Sequence, residues 1–168
     1  MRTTIGRKIA LAFIFIMLVV AVMIGMMVRG YNKVIESLTV IELESAKRGA
    51  AGNLRFAIAQ MHMASDDYII TEDKTYKLLF RTHEKNAEEY KQQLLKLPLS
   101  SEQKEMLQKI DKGLDSIITI TNKIFKIRNP GSSKLAVALM VKIDNKFAST
   151  INVQTTRIFN SIGERIEK

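Results

Sequence analysis

Residues 9–28 read IALAFIFIMLVVAVMIGMMV, twenty positions without a charge in which Gly25 alone lies outside the apolar set. At a rise of ~1.5 Å per residue, a helix of that length covers ~30 Å, the thickness of a bilayer's hydrocarbon core. A soluble helix keeps one face for water. This stretch keeps none, so it reads as a transmembrane helix. A cleaved signal peptide would have an apolar core of about 7–15 residues and a small-x-small exit. The exit here is Met26-Met27-Val28-Arg29, which offers no such site.

The flanks set an expected orientation. Arg2, Arg7 and Lys8 stand in a short tail, residues 1–8, and cations beside a span favour the cytoplasmic side. Arg29 and Lys33 on the other flank oppose that bias without reversing it. The expectation is a bacterial inner-membrane protein of single pass, N-terminus inside, with residues 29–168 outside the cytoplasm. The chain has no cysteine, which excludes disulfides, thiolate metal sites and a cysteine nucleophile. The net charge of +9 resembles a nucleic-acid signal, but it is spread along the chain without a block of like charge. Solvated helix surfaces account for it, and no nucleic-acid partner is expected.

Beyond the span, apolar residues recur at steps of three and four. Val34, Leu38 and Ile41 begin a first helix, and Leu54, Ile58, Met61, Ser65 and Tyr68 resume its stripe. Thr71-Glu72-Asp73-Lys74 turns the chain, with Asp73 placed to cap the next helix. Tyr76, Phe80, His83, Ala87, Tyr90, Leu94 and Leu97 mark this second helix, and Pro98 ends it. Ser100 and Gln103 fit a capping box opening a third, carried by Leu107, Ile110, Leu114, Ile117, Thr121 and Ile124. Asn129-Pro130-Gly131 stops it, and Ser132 or Ser133 caps a fourth. The fourth stripe is Leu135, Leu139, Ile143, Phe147, Ile151, Ile158, Ile162 and Ile166.

The expected fold is therefore all-α. A transmembrane helix continues into an antiparallel up-down-up-down four-helix bundle, with helices at about 30–70, 74–97, 101–128 and 132–167. The middle two helices are shorter than the outer two. Residues 31–42 and 156–168 are thus expected to form a two-helix stalk, steadied by a second protomer.

This pattern resembles the N-terminal half of bacterial methyl-accepting chemotaxis receptors of the four-helix-bundle class, and related sensory domains of histidine kinases. Ile5-Gly6-Arg7-Lys8 leading into the apolar run carries part of the resemblance. Asp67-Tyr68-Ile69-Ile70-Thr71-Glu72-Asp73-Lys74-Thr75-Tyr76, similar to a D-Y-x-x-T-x-D-x-x-Y turn, carries the rest. The resemblance implies an extracytoplasmic sensor acting as a homodimer, with a small anionic ligand or a periplasmic binding protein as partner. Binding would shift the first helix against the fourth. In that family a second membrane helix follows the bundle. Gly163-Glu164-Arg165-Ile166-Glu167-Lys168 stands where it would begin, and the sequence holds no second apolar run.

Three groups of residues are candidates for function. Arg48, Gly52 and Arg55 fall on one helical face with Lys47 and Gly49 adjacent. Lys47, Arg48 and Arg55 are candidate ligands for an anion, and Gly49 and Gly52 candidates for a close-packed dimer seam. His62 and His83 flank the 71–74 turn at nearly equal distances, so an antiparallel hairpin would set them level. They are candidates for proton sensing, or for a soft metal with Met61 or Met63. Ala21 and Gly25 form a small-xxx-small pair in the span. Asp66, Asp67 and Asp144 have no partner base at site-like spacing. No phosphate loop, zinc-peptidase motif or nucleophile elbow occurs, so neither an enzyme nor a cofactor is expected. The alternative to a sensory module is a structural or adaptor subunit docking onto another membrane protein without a small ligand.

Overall fold

The computed structural model describes residues 5–163, and among them every regular element is helical. Helix α1 spans Ile5–Thr71, α2 Thr75–Leu95, α3 Ser101–Ile124, α4 Lys134–Lys146 and α5 Val153–Gly163. A short 3-10 turn, Pro130–Ser132, precedes α4, and a π-helical segment, Phe147–Asn152, joins α4 to α5. Residues 1–4 of the expected tail lie outside the described residues. So do Ile166 and the rest of 164–168.

Contacts divide the chain into two units, residues 1–42 and 43–168, and α1 contributes to both. In the first unit every described residue is exposed, including the apolar ones from Ile9 to Val28. Among the described residues, one helix, α1, is long and apolar enough to cross a membrane by length and composition.

The second unit is built on the stripes that the sequence announces. Leu54, Ile58, Met61, Ser65 and Tyr68 of α1 are all buried, as are Leu107, Ile110, Leu114, Ile117, Thr121 and Ile124 of α3. Phe80, Ala87 and Leu94 of α2 and Ile143, Ile151, Ile158 and Ile162 of the last three segments close the core. Fully burying a side chain such as Leu54 or Phe80 contributes about 1.5–3 kcal/mol. Leu135 departs from its stripe: it is exposed, and Ala136 turns inward in its place.

Specific contacts fix the direction of each helix. Ser65 meets Thr121 and Tyr68 meets Phe125, so α1 and α3 run the same way. Phe80 lies against Phe125 and Lys91 against Asp111, so α2 runs opposite to α3. His62 meets Asp144 and Gly52 lies beside Phe159, so α4 and α5 run opposite to α1.

At the start of α2 the cap position falls on Lys74, which makes no side-chain cap bond, rather than on Asp73. Asp73, one residue earlier, accepts from the Thr75 N–H through Oδ1 at 2.8 Å, and hydrogen bonding from Thr75 holds its carboxyl below the usual range. Ser100 and Gln103 exchange both bonds of a capping box, and Ser133 accepts from the Ala136 N–H. At the far turns Glu72 and Asn129 adopt left-handed backbone, with φ of 59° and 56°. Gly131 allows the two turns to meet. Its N–H donates to Glu72 Oε1 at 3.3 Å, and a Cβ there would lie 2.9 Å from the Ile69 carbonyl oxygen.

The expected stalk at 156–168 needs correction over its described part. Gln103, in the first turn of α3, reaches Ser161 of α5 at 3.4 Å. Ile158 and Ile162 are fully buried. Residues 156–162 therefore belong to the packed unit. Residues 125–133, which include the 3-10 turn, lengthen the connection between α3 and α4.

Candidate functional site

His62, on the third turn of α1 before its end, brings together charged groups from two helices. Its Nε2 lies 2.8 Å from Asp144 Oδ1 on α4, and its Nδ1 lies 3.4 Å from Asp66 Oδ2, one turn along α1. The Phe147 ring covers the imidazole at 4.7 Å between centroids and a 30° tilt. His62 is mostly buried, whereas the Asp144 side chain is 52% exposed. One nitrogen and two carboxylate oxygens thus lie within 4.8 Å of one another.

Asp66 is the least satisfied member. Its Oδ1 is buried and has no hydrogen-bond partner among the described residues. Burial raises its carboxyl from 3.8 to about 6, opposed by the His62 charge and reinforced by the charges of Asp144 and Asp67. The group gathers two carboxyls around one imidazole.

The π segment begins at the residue that covers His62. Its origin is visible in the spacing: Leu139, Ile143, Phe147, Ile151 and Thr155 succeed one another by fours. In an α-helix each step of four overruns the 3.6-residue turn by about 40°. Widening the turn over Phe147–Asn152 keeps Phe147, Ile151 and Thr155 facing the core. Two hydroxyls bond backbone carbonyls in this stretch, with Ser149 donating to Asn145 O and Thr155 to Ile151 O.

The remaining candidates lie apart from this group. Lys47 turns inward, is 2% exposed, and its Nζ bonds Glu44 at 2.7 Å. It is thus separated from the face of Arg48 and Arg55 and committed to an internal ion pair. Arg48 lies over the Phe159 ring at 4.7 Å, and Arg55 is exposed. Gly49 is open, while a Cβ on Gly52 would meet the Phe159 ring at 3.5 Å, so α5 already covers part of that position. His83 is half-buried on α2 and is not among the donors gathered around His62. The methionines do not join them either: Met61 is in the core, and Met63 accepts from Gln60.

The sequence singles out His62 but does not place Asp66 or Asp144 beside it. The missed signal was the run of fours from Leu139 to Thr155, which marks the wide turn beside Asp144.

No family model matches the chain, and no curated protein matches it. Among solved structures, the chain is similar to one described as the periplasmic sensor domain of a sensor histidine kinase. The TM-score is 0.68 at 12% identity, over 79% of this chain and 91% of that one. At that identity the likeness is one of fold. The chain shares an all-helical fold with a periplasmic sensor domain.

Proposed function

We infer that the chain is the extracytoplasmic sensory (input) module of a chemoreceptor-like or histidine-kinase-type receptor, anchored through residues 9–28 with its N-terminus inside. The second unit is an up-down-up-down four-helix bundle, and the signal is a small displacement of α1 against α4 and α5. The observation that carries this reading is the fold shared with the periplasmic sensor domain. The pairing of His62 with Asp144 supports it, because a polar link between α1 and α4 is where a stimulus would alter their relative position. A homodimer is part of the reading. Gly49, Phe56, Met63 and Ile70 succeed each other at intervals of seven along α1, and the last three are exposed. Recognition rather than catalysis is its task.

The absence of native cysteine makes the test direct. Single cysteines placed at Lys8 and at Glu89 are reacted with a membrane-impermeant maleimide in intact cells. Glu89→Cys is expected to label before permeabilisation and Lys8→Cys only after it. Labelling of Glu89→Cys only after permeabilisation overturns the reading. A paired-cysteine series across α1 and α4 then measures whether cross-linking changes with stimulus. An unchanging rate across pH and ionic conditions favours a static adaptor.

A further inference from the structure

We propose that His62, Asp66 and Asp144 form a binding site for a divalent transition-metal ion of the zinc type, bridging α1 and α4. The imidazole and the two carboxylates are the donor types that borderline ions such as Zn²⁺ take, while Ca²⁺ and Mg²⁺ demand more oxygens and no imidazole. Metal–donor lengths of about 2.0–2.2 Å in tetrahedral geometry place neighbouring donors roughly 3.3 Å apart. The two carboxylates approach different ring nitrogens of His62, Asp144 at Nε2 (2.8 Å) and Asp66 at Nδ1 (3.4 Å), and a single ion takes only one of those nitrogens. One donor atom from each of the three residues lies within 4.8 Å of the others. Closing to the tetrahedral spacing takes a side-chain rotation, for which half exposure leaves Asp144 room.

Two further observations point to a cation here. Asp66 Oδ1 is buried without a partner among the described residues, an unmet acceptor that a bound cation would satisfy. Neither Asp66 nor Asp144 forms an ion pair with a lysine or arginine among the described residues; His62 is the partner of both. Phe147 covers the imidazole and lowers water access on that side. On binding, the ion takes a nitrogen lone pair of His62, and any proton held between His62 and Asp144 passes to solvent. Water completes the coordination shell on the exposed side of Asp144.

The donors alone carry the site. Its use as a stimulus, an ion drawing α4 toward α1, rests on the sensory reading above. The two are separable by experiment. The full chain in detergent micelles, stripped with chelator and dialysed, is titrated with Zn²⁺ alone in a calorimeter at about pH 7.5. One saturable site per chain is expected, with proton release and no comparable heat from Ca²⁺ or Mg²⁺. Asp144→Asn, a change at a half-exposed position, and His62→Gln are each expected to weaken binding at least tenfold. Asp66→Asn is expected to do the same, and His83→Gln to leave affinity unchanged. Circular dichroism checks that helix content is kept. The absence of saturable Zn²⁺ binding by the native chain overturns the proposal, as does native affinity in either Asp144→Asn or His62→Gln.

Discussion

Gly113 on α3 and Ile151 in the π-helical segment approach so closely that a Cβ on the glycine would lie 2.9 Å from Ile151 Cγ1 and 3.2 Å from its Cδ1. Ile151 is fully buried, and its branched side chain has little rotamer freedom in a helix. The missing side chain on α3 is what admits the wide turn that comes after Asp144. Gly113→Ala should gain up to ~1 kcal/mol of helix propensity but lose about 1–3 kcal/mol to overpacking. A net fall in thermal midpoint is expected. In an Ile151→Ala background the same change should become neutral or stabilising. A Gly113→Ala chain more stable than the native one would show that the contact relaxes without cost.

Asp66 gives the pH dependence a definite sign. Its folded-state value, about 6, lies above the ordinary 3.8, so between them the folded chain holds more proton than the unfolded chain. Stability contributed at this position is therefore fully present at low pH and is lost as pH rises toward about 6. The side chain is 36% exposed, and solvent screening reduces the effect to on the order of 1 kcal/mol. In chelator, Asp66→Asn should raise the thermal midpoint at about pH 7.5 and have much less effect at about pH 3.5. An equal shift at both pH values would remove the titration argument.

The sequence made the helical stripes legible because 3.6-residue periodicity needs only one chain to be read. Ser65 and Tyr68, Thr121 and Ile124 fall inward as their spacing requires. The cap at Ser100 was equally legible, since its chemistry lies within four residues. The site was legible by half. His62 stands out as one of two histidines, but its partner Asp144 is 82 positions away. Equal distance from the 71–74 turn pointed to His83 instead. Helix rotation, which that count ignores, decides which side chains meet. Lys47 failed for a related reason: its neighbour Arg48 is 100° round the helix, so one faces the core and the other water.

Ser65 and Thr121 exchange a buried hydroxyl–hydroxyl bond at 3.3 Å in the middle of the apolar stripes of α1 and α3. Removing one hydroxyl leaves the other buried without a partner, which costs about 1–3 kcal/mol. Ser65→Ala and Thr121→Val should therefore each lower the unfolding midpoint in denaturant. The double variant should lose less than the sum of the two, because no orphan group remains. Strict additivity would mean that each hydroxyl already finds another partner.

The outer face of α1 offers the test of the proposed homodimer. Phe56 is 62% exposed, Met63 53% and Ile70 78%, each one heptad from the next, and Gly49 continues the row with open space above it. Pairing this row with its copy would bury apolar surface at about 25 cal/mol per Å², and the glycine would let the two backbones approach. Phe56→Glu sets a charge against its own copy across such a seam. It should shift the full chain in detergent toward monomer in analytical ultracentrifugation, with helix content unchanged. Arg55→Ala, one position round the helix, should leave the dimer in place while weakening any anion bound there. A dimer that survives Phe56→Glu at native affinity would move the seam to another face of the bundle.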